Sequence, residues 1–181
     1  MDTLGFLNDH VATVAPKLLG CILEREIDGH ILRGRIIEVE AYDQTDAASH
    51  SYRGKTERTA VMFGQAGHLY VYFTYGMHYC CNVVVGEEGY GAAVLIRAVE
   101  PLEGEDIMLE NRNGRGGTEL TNGPAKVCQA FGIDKRLNGH DLRQAPLRLI
   151  LSDPVPISRI VPTPRIGISQ AKDTLWRFIE K

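Results

Sequence analysis

The sequence predicts an α+β protein, one curved antiparallel β-sheet with helices at its sides, in a single domain spanning residues 1–181. Three observations carry that prediction. The middle of the chain holds three strand-like runs rich in β-branched and aromatic residues, His68–Tyr75, His78–Val85 and Ala92–Glu100, with gaps short enough for antiparallel neighbours. Asp28-Gly29 is a strong two-residue hairpin signal between two further apolar runs. No internal repeat or long linker divides the 181 residues, a length that typically buries about 70% of the extended surface and can hold a core without metals or disulfides.

The elements follow in order. Thr13 is expected to cap a short helix that admits Pro16 in its first turn and stops at Gly20, since proline is tolerated there and glycine ends helices. A strand from Cys21 to Ile27 turns at Asp28-Gly29 into a long strand from His30 to about Tyr42. The polar stretch after it ends at the apolar Val61–Phe63 and is long enough to be functional. Two central strands meet at a two-residue turn, Gly76-Met77, and the polar Glu87–Gly91 precedes the third. Pro101 is expected to close that strand and open a helix through Asn111. Gly114, Gly116 and Gly117 mark a loop, and Pro124 takes the first position of a helix to about Phe131. The tail alternates short strands with Pro154, Pro156, Pro162 and Pro164, and its last aromatic pair is Trp176 and Phe178.

Composition narrows the function classes. Hydrophobic residues make up 44% and charged residues 24%, which excludes disorder and fibres. No stretch approaches the roughly 20 apolar residues of a bilayer span, and the amino end carries acids where a signal peptide is basic. The expectation is a protein that meets no membrane and stays in the compartment where it is made. Cys21, Cys80, Cys81 and Cys128 form no zinc spacing, so buried reduced thiols are expected, with no metal and no cofactor. Net charge is −3, with −5 over residues 1–90 and +2 over residues 91–181, so a polyanion would have to meet a local patch.

Side chains alternate across a strand, so Glu38, Glu40 and Tyr42 share one face of the long strand and Ile37, Val39 and Ala41 the other. Two readings fit: a solvated outer face, or a cleft in which one carboxylate serves as a base beside an aromatic surface. Arg97 interrupts an otherwise apolar run and needs a carboxylate partner, which Glu40 can supply. Tyr70, Tyr72, Tyr75 and Tyr79 crowd one hairpin. Tyr70 and Tyr79 read as packing residues, whereas Tyr75 adjoins the tip, where a large aromatic either folds back or projects as a wedge. His50 lies in the polar loop ten residues beyond Glu40. Lys126 and Lys135 flank the helix that opens at Pro124, either as a solvated basic face or as a phosphate site.

These pieces occur in a familiar order: Leu18–Gly20 (LLG), RGRIIEVEAY ending at Tyr42, ASH ending at His50, Met62–Gly64 (MFG), Leu69–Val84, Leu95–Gly104, Asn122–Ile133 and Arg165–Ile168 (RIGI). Together they closely resemble the 3-methyladenine DNA glycosylases of the alkyladenine (methylpurine) glycosylase family, over nearly the whole chain. The resemblance implies a single-domain fold with a protruding hairpin and an activity, excision of alkylated purines from double-stranded DNA by hydrolysis of the N-glycosidic bond.

It also implies roles. Glu40 corresponds to the general base that activates water and Arg97 to its partner. Tyr42, His50 and Tyr72 correspond to the aromatic cleft for the extruded base, and Asn82 to the residue that crowds the 2-amino group of guanine. Tyr75 corresponds to the residue that fills the gap in the duplex, and Arg58, Lys126 and Lys135 to contacts with the DNA backbone. A monomer of cytoplasmic or, in a eukaryote, nuclear location is implied. Thr59 and Leu175 depart from the family pattern, which often has asparagine and proline there. The alternative is a non-catalytic nucleic-acid-binding module, which would not need the acid and phenol row at Glu40 and Tyr42.

Overall fold

The structure, a computed structural model, describes residues 4–181. Eight strands form one antiparallel sheet: β1 (Ile22–Ile27), β2 (His30–Tyr42), β3 (Leu69–Thr74), β4 (His78–Val84), β5 (Ala93–Glu103), β6 (Leu147–Ile150), β7 (Ile160–Thr163) and β8 (Arg177–Glu180). The order is β3-β4-β5-β2-β1-β6, with β8 joining β2 and β7. The thirteen-residue β2 is the spine. It pairs with β5 along one side, and along the other with β1 over residues 30–35 and with β8 over residues 38–40. The α+β class and the curved sheet are as the sequence predicts.

One face of this sheet carries the core. Leu23, Leu32, Ile36, Val39, Ala41, Leu69, Val71, Cys81, Val83, Val94 and Ile96 are buried against helices α1 (Val11–Leu18) and α3 (Pro124–Ala130) and the elements around them. At ~25 cal/mol per Å² of apolar surface removed from water, that face supplies most of the folding free energy. Gly34 permits a close approach of the sheet to α3, since a side-chain carbon there would stand 2.8 Å from Phe131 and from Val99. All four cysteines are buried and free.

Four sequence expectations need correction. Helix α1 starts earlier than Thr13, at Val11, because the His10 imidazole Nδ1 accepts the Ala12 N–H at 3.2 Å and acts as the cap, which leaves Pro16 inside the helix. Strand β5 continues through Pro101 to Glu103, and helix α2 (Glu105–Asn111) opens only after Gly104. The register of β5 with β2 shifts beside the Gly34–Pro101 pair, an irregularity that tolerates a residue without an N–H. The hairpin between β3 and β4 has three tip residues, Tyr75, Gly76 and Met77, since Thr74 still pairs with His78. Finally, the pairing shifts on both sides of Glu38, so the core face passes from Ile36 to Val39 and Ile37 is only partly buried.

The tail forms β6, β7 and β8, but Pro162 lies inside β7, paired with Phe178, and does not separate strands; Trp176 packs against the core. Among the described residues no helix is long and apolar enough to cross a membrane.

Candidate active site

On the face of the sheet away from α1 and α3, cross-strand pairing sets a transverse row. Glu40 of β2 pairs with Leu95 of β5, Leu95 with Asn82 of β4, and Asn82 with Tyr70 of β3. Residues two positions along these strands, Tyr42, Arg97, Cys80 and Tyr72, complete the wall of a cavity of about 340 Å³. The loop after β7 closes it with Ile166, Gly167 and Ile168, and the polar loop after β2 contributes His50 and Arg58. Arg97 reaches this face by alternation from Leu95, and β5 bulges at this point: Ala98 pairs with Glu38 and Ile96 with Val39, so Arg97 is the extra residue.

Glu40 has no exposed surface, and both of its oxygens are occupied. Oε2 accepts the Tyr42 phenol O–H at 2.7 Å, and Oε1 accepts the Ile166 backbone N–H at 2.7 Å. Arg97 Nη1 lies 3.4 Å from Oε2, while its Nε donates to Glu38 Oε1 at 2.9 Å. Arg177 of β8 donates to that same Glu38 oxygen at 2.7 Å. The acid row therefore faces a cleft and not open solvent, and Arg97 bridges its two carboxylates. Burial, then the charge and hydrogen bond of Glu40, push the Tyr42 phenol well above its ordinary pKa, so Tyr42 keeps its proton and donates it.

The aromatic wall is continuous. The His50 and Tyr72 rings meet edge to face at 4.6 Å between centroids, Tyr70 lies 5.7 Å from Tyr72, and the Tyr70 hydroxyl is 3.2 Å from His50 Nδ1. Part of the His50 surface meets solvent, but desolvation against the aromatic wall and then the nearby Arg58 hold its pKa below the usual value, which favours the neutral imidazole at pH 7. Asn82 Nδ2 donates to the Tyr70 carbonyl at 3.1 Å, pinning the amide to β3. Tyr70, read from the sequence as a packing residue, is both buried and part of the wall.

The expected DNA-facing residues are arranged differently. Tyr75 is 84% exposed, its backbone φ is +52°, and its ring borders the mouth of the cavity. Left-handed backbone is rare for a bulky residue and signals a turn built to project it. Met77 and Phe73 beside it are exposed as well. Arg58 lines the cavity with its guanidinium 5.7 Å from the Tyr72 centroid. The Lys126 amine is held by Glu119 at 2.5 Å and Asn122 at 2.7 Å, and Lys135 is exposed in a short helical turn.

The structure thus gathers Glu40, Arg97, Tyr42, His50, Tyr72, Asn82, Arg58 and Tyr75 around one cavity. The two lysines do not line it. Sequence reasoning missed the contribution of the tail: the Ile166 amide, Arg165 behind Tyr42, and Arg177 on Glu38. Only the RIGI motif hinted at it. Thr59, one of the two departures, is buried and bonded to Thr56, which is a structural use of the side chain. Leu175, the other, is half exposed. Among the described residues no three His, Cys, Asp or Glu side chains form a metal-holding group.

Comparison with known proteins identifies the family. The family model described as methylpurine-DNA glycosylase matches residues 5–181. A protein of Carboxydothermus hydrogenoformans is 54% identical over 172 residues, covering 94% of this chain and 90% of its own length. One of Methanoculleus marisnigri is 48% identical over 180 residues, covering 98% and 93%, and one of Nitrosospira multiformis is 48% identical over 166, covering 91% and 82%. All three carry the name "Putative 3-methyladenine DNA glycosylase". A match along nearly the whole chain, on a fold whose buried acid faces an aromatic cleft, sets aside the non-catalytic alternative: the chain belongs to the methylpurine-DNA glycosylase family and is a DNA repair enzyme that hydrolyses N-glycosyl bonds.

Proposed function

We propose that this protein flips an alkylated purine, 3-methyladenine and related lesions, out of duplex DNA into the cavity between Tyr42, His50 and Tyr72, where a water activated by Glu40 attacks C1′. The observation that carries the reading is the buried Glu40 carboxylate, opening onto an aromatic cleft at the base of an exposed aromatic hairpin tip. A base inside a duplex is unreachable, so extrusion comes first and costs a few kcal/mol, least for poorly paired bases. Tyr75 offsets part of that cost by stacking in the vacancy.

In the cavity the aromatic faces hold the purine. A cationic alkylpurine gains ~0.5–2 kcal/mol over a neutral one from cation–π attraction, and Arg58 and Arg165 already draw on Tyr72 and Tyr42, which places the gain at the low end of that range. A neutral His50 adds no repulsion. Alkylation at N3 or N7 makes the base a good leaving group without an acid. Glu40 then has two tasks: to orient and deprotonate water, and to stabilise positive charge growing on the sugar. Arg97 and the Tyr42 hydroxyl hold the carboxylate in place for both. Asn82 crowds the 2-amino group of guanine, and Arg58, Lys126 and Lys135 serve the DNA backbone. The enzyme acts as a single domain and a monomer.

No lysine lines the cavity among the described residues, so water and not an amine is the nucleophile and the abasic strand stays intact. The test is base release from methylated duplex DNA by the wild type and by Glu40→Gln, with binding measured in parallel. Release should fall by about 10³-fold or more while lesion binding persists. Retained turnover would remove Glu40 from its role, and a borohydride-trapped protein–DNA adduct would refute water attack.

A further inference from the structure

Behind the cavity lies a cation with no place in the steps above. Arg165 has no exposed side-chain surface, and its Nη1 donates to the Ala41 carbonyl at 2.9 Å and to the Asp46 carboxylate, whose side chain is 4% exposed. The guanidinium carbon lies 4.8 Å from the centroid of the Tyr42 ring and 5.6 Å from that of Trp176. Nε and Nη2 have no hydrogen-bond partner among the described residues, and the two aromatic faces stand in their place. A buried guanidinium is tolerated only when it is paired, so this arrangement is held together by need. It ties three parts of the site: the β2 backbone between Glu40 and Tyr42, the loop that runs from Asp46 to His50, and the segment whose next residue, Ile166, donates its N–H to Glu40 Oε1 at 2.7 Å.

We propose that Arg165 and Asp46 are a positioning pair for base excision: locked together, they fix the Ile166 amide on Glu40 and hold the Tyr42 ring against the cavity, without touching substrate. The proposal rests on the reading of Glu40 as the base. A carboxylate that loses one of its two hydrogen-bond donors samples other orientations, and a misplacement on the order of 1 Å costs on the order of 10²-fold in rate. The loss falls mainly on the chemical step, because of the purine's walls Tyr42 alone stacks on Arg165, while His50, Tyr70 and Tyr72 contact one another.

The test measures single-turnover base release from methylated duplex DNA, lesion-duplex affinity and thermal melting for Arg165→Lys, Asp46→Asn, their double variant and Glu40→Gln. Arg165→Lys and Asp46→Asn should each slow release about 100-fold with affinity changed less than about threefold, and the double variant should be no slower than the worse single one. Should Arg165→Lys not fold, the isosteric Asp46→Asn decides. Wild-type rates in Asp46→Asn, or losses of rate, affinity and folded fraction that move in step, would reduce the pair to packing and overturn the proposal. If Glu40→Gln still releases base at the wild-type rate, the reading of Glu40 fails first and takes the pair with it. If Glu40→Gln is inactive while the pair variants stay fast, only the pair fails.

Discussion

The two ends of the sheet face that forms the cavity are built on opposite principles. At the β2 end Glu40 is fully buried, and a phenol, a backbone amide and an arginine from three different segments fix its oxygens. At the hairpin end Tyr75, Met77 and Phe73 are exposed, and Tyr75 is aimed by its backbone conformation alone. Chemistry demands a group held within a fraction of an ångström, whereas insertion into a stacked duplex demands an apolar surface that water leaves readily. Substitutions at the two ends should therefore separate rate from affinity.

Apart from Glu40 itself, the largest effect is expected at Arg97. Arg97→Met leaves Glu38 and Glu40 facing each other without the bridging cation, and release should fall by about 10²-fold or more with stability lowered by ~3–5 kcal/mol, readable as a lower melting temperature. An unchanged melting temperature would mean that Arg177 and Tyr42 suffice for the two acids. Next, Tyr75→Ala should weaken lesion-duplex binding about tenfold, from a stacking contribution of ~1–3 kcal/mol, with a smaller loss on single strands. Equal losses on both would erase the contrast between the two ends.

A pH effect sharpens the comparison further. His50 has a folded pKa below its ordinary 6.5, held there by desolvation against the aromatic wall and then by Arg58, so the unfolded chain binds the extra proton more readily. Its contribution to stability is complete above pH 6.5 and is lost as pH falls from there toward the folded value. Melting curves of His50→Gln should show a shallower decline over that window. The smallest effect is expected at the lysines. Lys135→Ala should reduce the salt slope of DNA binding by about 1, and Lys126→Ala by less, since Glu119 competes for that amine.

What the sequence discloses and what it hides follow the same division. Alternation along β2 places Glu38, Glu40 and Tyr42 on one face, and the structure agrees because a strand's period of two is local. The Asp28-Gly29 turn, with φ of +48° and +81°, and the helix at Pro124 were legible for the same reason. The bulge at Arg97 was not, since it arises from how β5 and β2 pair. Nor was the extent of β5, where the β2 pairing carries a proline that local rules read as a stop. The donor on Glu40 comes from a backbone N–H at Ile166, 126 residues along the chain. No residue type marks an amide, and so the tail's part in the site stayed hidden. Tyr70 is the packing residue that the sequence suggests, and it is pocket wall as well, because the two are the same thing when the pocket lies on the sheet.

The central claim is that the cavity beside Glu40 receives a flipped purine. A crystal structure of Glu40→Gln bound to a duplex with a stable alkylated purine tests it directly. The base should lie among Tyr42, His50 and Tyr72, with Tyr75 in the duplex gap and a water between residue 40 and C1′. A base still stacked in the duplex, or one bound with its sugar carbon turned away from residue 40, would contradict it.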